Sequence, residues 1–535
     1  MCKQQTRGFL IIGIVFCLMT AVFGLDSKSL PSEVIDRLVL KKLDELNIPP
    51  SEICTDSVFL RRVYLDVIGT LPTQKDVQHF LNDSSKEKRS VLIETLLHRA
   101  EFADYWSLKW GDLLRIKSEF PSKLWPNAVQ AYHRWIWISL KQNIPYDQFA
   151  RALLTESGSN FREPPVNFFR AVATRTPMEL ARVTALTLMG TRIEKWPLER
   201  QKQLAAFFGQ VAYKSTAEWK EEIVFFDPEK QFLDPKTKKP VVAIFPDGTR
   251  PEIKKGEDPR RVFATWLIQS PDFSNCIVNR IWFWLLGRGI VHEPDDFNPN
   301  NPPQNKELLD FLAKELKDHH YDLRHIYRII LNSETYQRSA IHNEGNRTDQ
   351  INFSHYYVRR LGAEVLIDAI CQITKTTETY SSAIPEPFTW IPEKQRSILL
   401  ADGSITSPFL ELYGRPPRDT GYESERNNIP SASQKLYLLN STQIQKKIMN
   451  NPALLGIQGK KRRTGKKNKK RKQPYWKPYP KTIDSIYLTI LSRYPTEKER
   501  TIVLDYLKKN KYGRRNATID VVWALLNTKE FVYKH

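Results

Sequence analysis

The chain has 535 residues, of which 41% are hydrophobic and 26% charged, with 13 Trp, 21 Tyr and 26 Phe. This composition excludes an intrinsically disordered chain and predicts a globular protein of two or three domains with a sizeable core. The formal net charge is +21, and residues 460–472 supply ten of the positive charges without one acidic residue.

The N-terminus has the pattern of an export signal. Lys3 and Arg7 precede an apolar run from 9 to 23, and Gly24 provides a small residue at its end. The run is short for a membrane span, which needs about 20 residues. We therefore predict a signal peptide at 1–24 and export to the periplasm or cell surface. The alternative left open is a segment retained as an anchor.

Residues 28–214 follow a helical pattern and are expected to form one helical domain. Apolar side chains recur at helical spacing, and N-cap residues or prolines precede the periodic segments. The last of these helices is expected to run from Pro197 through Val211. The start signals stand at Asp56–Ser57, Thr73, Ser84–Ser85, Pro126, Thr176–Pro177 and Pro197.

A change in the sequence pattern, from helical periodicity to short apolar runs, between 215 and 257 predicts a small β insert at a domain boundary. Residues 223–226 and 241–245 are short apolar runs of β type, and Pro246-Asp247-Gly248-Thr249 is a turn signal. Helical pattern resumes at Asp258-Pro259 and extends through a second domain, 258–535.

Within this second domain, residues 380–430 are Pro-rich and irregular, and Ser431 is expected to cap a helix ending at Met449. Further helices are expected from Thr482 to Phe531, after a basic loop at 459–473. The fold class predicted for the whole chain is mainly α: a multi-helical two-domain body with a small β insert around 221–255.

After removal of the signal peptide, Cys54, Cys276 and Cys371 remain. They are widely spaced and no CxxC pair exists, which excludes a thiolate metal site of the usual spacing. Three buried apolar thiols are the favoured interpretation.

Two groups of motifs follow one another along the chain. The first group is FLRRVYLD at 59–66, GTLPT at 69–73, YW at 105–106 with KW at 109–110, and LAAFF at 204–208. The second group is DPRR at 258–261, VNRIW at 278–282, GRGIV at 287–291, DDF at 295–297, ELLD at 307–310, SETYQ at 333–337, RRL at 359–361, LSRYPT at 491–496 and WALLN at 523–527. Together they resemble a two-domain family found in planctomycetes, in which a cytochrome C-associated domain of unknown function, matching the first group, precedes its usual C-terminal partner domain, matching the second.

The resemblance implies a haem-attachment motif, Cys-x-x-Cys-His, which this chain lacks at the expected place. Gly190-Thr191-Arg192 runs directly into Lys195-Trp196. Covalent attachment needs two thiols and an adjacent imidazole, so we predict no cofactor and no c-type haem. The protein, expressed with a haem-maturation system and purified, should lack a Soret band. A haem-bearing peptide in its digest would contradict this prediction.

The acidic loop Glu293–Asn300 is the main candidate for chemistry. Asp295 and Asp296 could act as paired acid and base on a glycoside, with Arg280 orienting them through a guanidinium pair. The spacing does not match a calcium loop. The alternative is that this loop caps the helix that follows.

Other polar groups have simpler interpretations. Arg62 and Asp66, four residues apart, are expected to form an ion pair on one helix. His319, His320 and His325 lie near a helix junction, where we expect no metal site.

The basic loop is a weak candidate for anion binding, through Lys460, Lys461, Arg462, Arg463, Lys466, Lys467, Lys469, Lys470, Arg471 and Lys472. An exported protein would meet an acidic surface polymer, another exported protein or, peripherally, an anionic membrane face, rather than nucleic acid. A solvated loop that binds nothing is the competing interpretation.

No phosphate-binding glycine loop, HExxH or GxSxG motif occurs, so the sequence leaves open whether the protein is an enzyme. The favoured function is a haem-free exported binding or interaction protein of a periplasmic or cell-surface assembly. A polysaccharide hydrolase using the Asp295/Asp296 loop, and an accessory partner of electron-transfer cytochromes, are the alternatives.

Overall fold

The computed structural model describes residues 30–458 and 475–535. The predicted signal peptide and the basic segment 460–472 lie outside these residues. Within the described part, helices dominate and the strands form only small antiparallel sheets. The prediction of a mainly α fold with small β elements is therefore confirmed.

The N-terminal half folds mainly into helices that begin close to the predicted start signals. Thr73, for example, accepts a hydrogen bond from the backbone N–H of Asp76 at 3.2 Å, and its own N–H donates to the Asp76 carboxylate at 2.9 Å. The helices are α1 Pro31–Glu45, α2 Asp56–Val67, α3 Gln74–Asn82, α4 Lys88–His98, α5 Ala100–Leu113, α6 Pro126–Gln142, α7 Tyr146–Thr155, α8 Pro177–Met189 and α9 Leu198–Ala205.

A three-stranded antiparallel sheet is built from β1 (Gly158–Ser159), β2 (Val211–Ser215) and β3 (Glu222–Phe226), in the order β1-β3-β2. The predicted run 223–226 is thus a strand, and it is the central one. Its partner β2 begins at Val211, which pairs with Phe226. The expectation of a helix through Val211 is wrong, because α9 ends at Ala205 and a 3-10 turn leads into the sheet.

The second predicted run, 241–245, is not a strand in the described structure. Phe245 instead stacks on Trp266 at 5.0 Å and on Phe207 at 5.1 Å between ring centroids. The apolar residues of this run therefore cover the neighbouring helices and do not extend the sheet.

The C-terminal half is again helical, with Ser431 acting as the N-cap that the sequence predicts. The expected single helix from Ser431 to Met449 is interrupted at Ser441, which caps a second helix. The helices are α10 Pro259–Gln269, α11 Pro271–Leu286, α12 Lys306–Asp318, α13 Leu323–Asn332, α14 Glu334–Gln337, α15 Ala363–Thr374, α16 Pro408–Leu412, α17 Ala432–Asn440, α18 Thr442–Met449, α19 Tyr479–Ile490, α20 Glu497–Lys509, α21 Arg514–Leu526 and α22 Lys529–Val532.

Two short strand pairs complete the C-terminal half, and one of them includes residues near the end of the chain. Strand β4 (Arg359–Arg360) pairs with the C-terminal β7 (Tyr533–Lys534), and β5 (Ile457–Gln458) pairs with β6 (Tyr475–Trp476). Arg62 of α2 donates to the backbone carbonyl of His535 at 3.1 Å. The last residues are thereby held against both halves of the chain.

Cys54, Cys276 and Cys371 are buried free thiols, as the sequence predicts. Burial raises the pKa of the Cys276 thiol to about 12, which keeps it protonated and unreactive. Among the described helices, none combines the length and the apolar content that crossing a bilayer requires.

Candidate functional site

A charged cavity of about 380 Å³ opens between α5, α11, α15 and β7. Positive side chains outnumber negative ones in its wall. A pocket of this size with a few convergent polar groups is the usual form of a small-molecule site. Its polar lining comprises Tyr105, Lys109, Arg359, Arg360, Glu364, Glu423, Arg426, Asn428, Tyr533 and Lys534.

Helix α5 supplies Tyr105 and Lys109, which lie four residues apart and so share one face. Other faces of this helix are anchored in the core by Trp106 and Trp110, each 1% exposed. The Trp106 indole donates to the carbonyl of Val67 at 3.1 Å. Packing therefore fixes where Lys109 enters the cavity.

The end of α11 is shaped to admit Arg359. Gly287 ends this helix with φ +88°, and a Cβ at this position would lie 2.4 Å from Cδ of Arg359. The Arg359 guanidinium can therefore pass close to the backbone. It donates to the terminal carbonyls of Trp284 at 3.0 Å and Leu285 at 2.6 Å, satisfying groups that the helix itself leaves free.

Beneath the cavity, Asp112 and Glu364 hold a cluster of buried arginines. Asp112 accepts from Arg418 at 2.9 Å and from Arg426 at 2.7 Å. Glu364 accepts from Arg426 at 2.6 Å, and Arg415 lies 3.5 Å away. Burial alone would raise the pKa of Glu364, but Arg426 and Arg415 lower it to about 2. Glu364 is therefore a permanent anion that holds the arginines.

On another side of the cavity, Asp66 holds the end of the chain. This fully buried carboxylate accepts from Lys534 and from the hydroxyls of Tyr336 and Tyr356, each at 3.0 Å. Burial lowers the pKa of the Lys534 ammonium to about 8, against the opposing influence of Asp66. Lys534 is thereby engaged by a partner and does not offer a free charge to the cavity.

Lys109 and Glu423 differ from these charges because they are not neutralised by an ion pair. No described residue hydrogen-bonds or ion-pairs with the Lys109 ammonium. Glu423 accepts only from the Trp284 indole, at 3.0 Å, through one carboxylate oxygen. Burial, reinforced by Arg426, lowers the pKa of Lys109, whereas burial raises the pKa of Glu423.

Asp295 and Arg280, predicted as a pair, do form a buried ion pair at 2.7 Å. Their side chains are 2% and 0% exposed, so neither reaches a cavity surface. The second oxygen of Asp295 accepts from the backbone N–H of Glu423 at 2.6 Å. The pair therefore positions the Glu423 turn and does not face a substrate itself.

Asp296 does not join Asp295. Its carboxylate pairs with Lys195 at 2.8 Å, at the surface. The structure thus does not bring together the two carboxylates of the expected acid–base pair. The alternative role of this loop as a helix cap is wrong as well, because Asn305 caps α12 by accepting from Leu308 N–H at 3.0 Å.

The remaining candidates also have different partners from those expected. Arg62 and Asp66 do not pair with each other, since Arg62 donates to backbone carbonyls and its guanidinium lies 3.8 Å from the Tyr356 ring centroid. His319 and His325 stack face to face at 3.6 Å beside Glu315. Stacked imidazoles direct their ring nitrogens roughly parallel to each other, although one ligand atom from each of Glu315, His319 and His325 lies within 4.8 Å of the others.

Family models match two consecutive regions of the chain. Residues 34–207 match PSCyt2, a protein of unknown function (DUF1549), and residues 259–507 match PSD1, a protein of unknown function (DUF1553). No curated protein and no solved structure matches the chain. Lys109 falls in the first region, and Glu364 and Glu423 fall in the second. The cavity therefore takes its charged groups from both.

Proposed function

Since the chain belongs to the planctomycete two-domain family that joins a PSCyt2 domain to a PSD1 domain, we propose a function from the cavity that both domains line. The protein binds a small ligand that carries an oxyanion. The single observation that carries this proposal is the Lys109 ammonium, which enters the cavity with no hydrogen-bond or ion-pair partner among the described residues, although the nearby Glu423 carboxylate acts on its pKa.

The charges around Lys109 favour an anion over a cation. Glu364 and Asp66 are already saturated by arginines, a lysine and hydroxyls. Glu423 is the exception, but burial raises the pKa of its carboxyl, so its negative charge develops at a higher pH than that of an ordinary glutamate. A bound carboxylate, sulfate or phosphate would supply the missing partner of Lys109 through charge-assisted hydrogen bonds.

Acid–base catalysis on the bound ligand is the second candidate function. Burial lowers the pKa of Lys109 and raises the pKa of Glu423, which brings the two values closer together and favours proton exchange with a ligand that both side chains face. Proton exchange between a carboxylated ligand and D₂O, followed by NMR, tests this candidate. A ligand that binds and keeps all its carbon-bound hydrogens would leave binding alone as the function.

We further propose that the protein acts outside the cytoplasm without haem, and that its basic segment 460–472 contacts an acidic surface polymer or an anionic membrane face. The charged and apolar pattern of the N-terminus and the density of positive charge support this proposal. The burial of Asp295 removes support from the hydrolase alternative. Docking to a cytochrome through the basic segment stays an alternative. Binding to a cytochrome that weakens as the salt concentration rises would support it.

We expect glucuronate, citrate, inorganic sulfate or inorganic phosphate to raise the melting temperature of the protein. At a ligand concentration 100 times the dissociation constant, binding adds about 2.7 kcal/mol to the free energy of unfolding. Differential scanning calorimetry measures the shift in melting temperature for each compound. Comparing these shifts shows whether the site prefers the carboxylates or the inorganic ions. Failure of all four compounds at neutral pH would contradict the proposal.

A chain lacking residues 460–472 is the control for these measurements. We expect it to keep the ligand-induced shift in melting temperature and to lose retention on an anionic resin at low salt. Loss of the ligand-induced shift in melting temperature in this deletion variant would indicate that the anion binds to the basic segment and not in the cavity.

A further inference from the structure

A second groove, of about 370 Å³, opens beside the start of α6 and shares no lining residue with the charged cavity. Its wall includes Phe388 and Trp390, which are 48% and 71% exposed. Large aromatic side chains are rarely left open to water on a soluble protein unless they meet a ligand or a partner.

The aromatic surface continues beyond the groove. Phe388 lies 5.3 Å from Trp125 between ring centroids, and Trp125 lies 6.5 Å from Trp219. Trp219 is 67% exposed. The ammonium of Lys220 lies 4.9 Å from the centroid of the Trp219 ring. Phe388, Trp125 and Trp219 are thus linked by successive ring contacts that lead away from the groove.

Uncharged polar groups line the groove between these rings. Asn127 and Gln130 are exposed, and within the described ranges their side-chain amides have no hydrogen-bond partner. The hydroxyl of Thr389 is buried and lacks a partner too. Asp402 is the one charged side chain in the described lining, and it is occupied by Ser118, whose N–H donates to it at 3.0 Å.

We propose that this groove binds a neutral polysaccharide. A sugar ring has apolar C–H faces that pack on aromatic rings, and hydroxyl edges that both donate and accept hydrogen bonds. Amide side chains match such edges because they also donate and accept. The described lining of the groove itself has no free charge, which disfavours an acidic or basic polymer there; Lys220, whose ammonium lies over the Trp219 ring, is outside this lining. A proline-rich peptide would use the rings and could accept from the amide N–H groups through its carbonyls, but its prolines lack N–H groups and would leave the amide oxygens unmatched.

Isothermal titration of the full chain with hexasaccharides of β-1,4-linked glucose, mannose and xylose tests the proposal. At least one of them should bind, and Trp390→Ala should weaken its binding at least tenfold. Trp390 is largely exposed, so its replacement should not affect folding. Tyr512→Ala, at a 75% exposed residue outside the groove, is the matched control and should bind as the parent does.

Two further variants separate this site from others. Gln130→Ala should weaken the binding of the same hexasaccharide, whereas Lys109→Met, in the charged cavity, should leave this binding unchanged. Decaproline serves as the competing probe. Binding of decaproline together with failure of all three hexasaccharides would overturn the proposal and assign the groove to a peptide. Unchanged hexasaccharide binding by both Trp390→Ala and Gln130→Ala would overturn it as well.

Discussion

Replacing Asp112 by alanine is expected to lower the free energy of unfolding by about 3–5 kcal/mol, because it leaves buried positive charge without its partner. Asp112 joins two arginines: it accepts from Arg418 at 2.9 Å and from Arg426 at 2.7 Å. The Arg418 side chain is fully buried. Glu364 would still neutralise Arg426, but no other described acid ion-pairs with Arg418.

The size of this effect comes from desolvation and not from the strength of the ion pair itself. A guanidinium removed from water loses its hydration, and only a fixed anion restores the loss. Arg418 does donate to backbone carbonyls, including that of Ile116 at 3.3 Å, but carbonyls do not cancel its charge. The charge would therefore draw water inward or open the contact between α5 and the 397–426 region.

Urea unfolding followed by far-UV circular dichroism measures this loss. Asp318→Ala is the matched control, because Asp318 pairs with Lys314 on an exposed helix face, where its side chain is 49% exposed. Such a surface pair contributes about 0.3–0.5 kcal/mol. Equal losses in the two variants would show that the Asp112 cluster is hydrated and contributes no more than a surface pair.

Local signals in the sequence predicted the helices well. The caps at Thr73, Thr176 and Ser431 are satisfied within three residues, so each is legible without knowledge of the fold. The pairing of β4 with β7 cannot be predicted from local sequence signals, because it joins segments about 170 residues apart through only two residue pairs. The strand β2 was missed for a different reason: it follows directly on a helical segment, and its pairing with the neighbouring β3, not its own composition, decides its conformation.

The candidate site was likewise predicted only in part, because its residues come from distant parts of the sequence. The pairing of Arg280 with Asp295 followed from the proximity of a guanidinium and an acidic loop, but its role beneath Glu423 did not. Glu423 lies in the irregular region 380–430, and Lys109 lies on α5 in the other family domain. One signal was present in the sequence: Lys109 is a lysine on a Trp-rich helix that is otherwise mostly buried. A charged side chain on a mostly buried helix suggests a polar cavity, and Lys109 does line one.

Replacing Lys109 by methionine is expected to weaken the binding of the best oxyanion ligand about 100-fold. Methionine keeps the unbranched shape and most of the length of the lysine side chain and removes the charge. Loss of a charged contact in a partly buried site costs about 2–5 kcal/mol, and each 1.4 kcal/mol is tenfold in affinity. Calorimetric titration measures the change. Lys195→Met, at a 54% exposed lysine, is the control and should bind like the parent.

The pH dependence of binding distinguishes this cavity from a general attraction to a basic protein. Burial lowers the pKa of Lys109, so its positive charge is lost at a lower pH than that of an ordinary lysine. Burial raises the pKa of Glu423, so its negative charge develops at a higher pH than that of an ordinary glutamate. Both changes remove positive charge as the pH rises, and the affinity for an anion should therefore fall with rising pH.

Glu423→Gln gives the opposite result from Lys109→Met, which makes the pair of variants decisive. Glutamine keeps the acceptor for the Trp284 indole but cannot ionise, so the anion should bind as tightly as in the parent or more tightly, and the lower-pH part of the decline should disappear. Weaker binding in Glu423→Gln would mean that the carboxylate itself holds a cationic part of the ligand. Retained affinity in Lys109→Met would exclude the ammonium as the anion's partner, and with it the proposed function of the cavity.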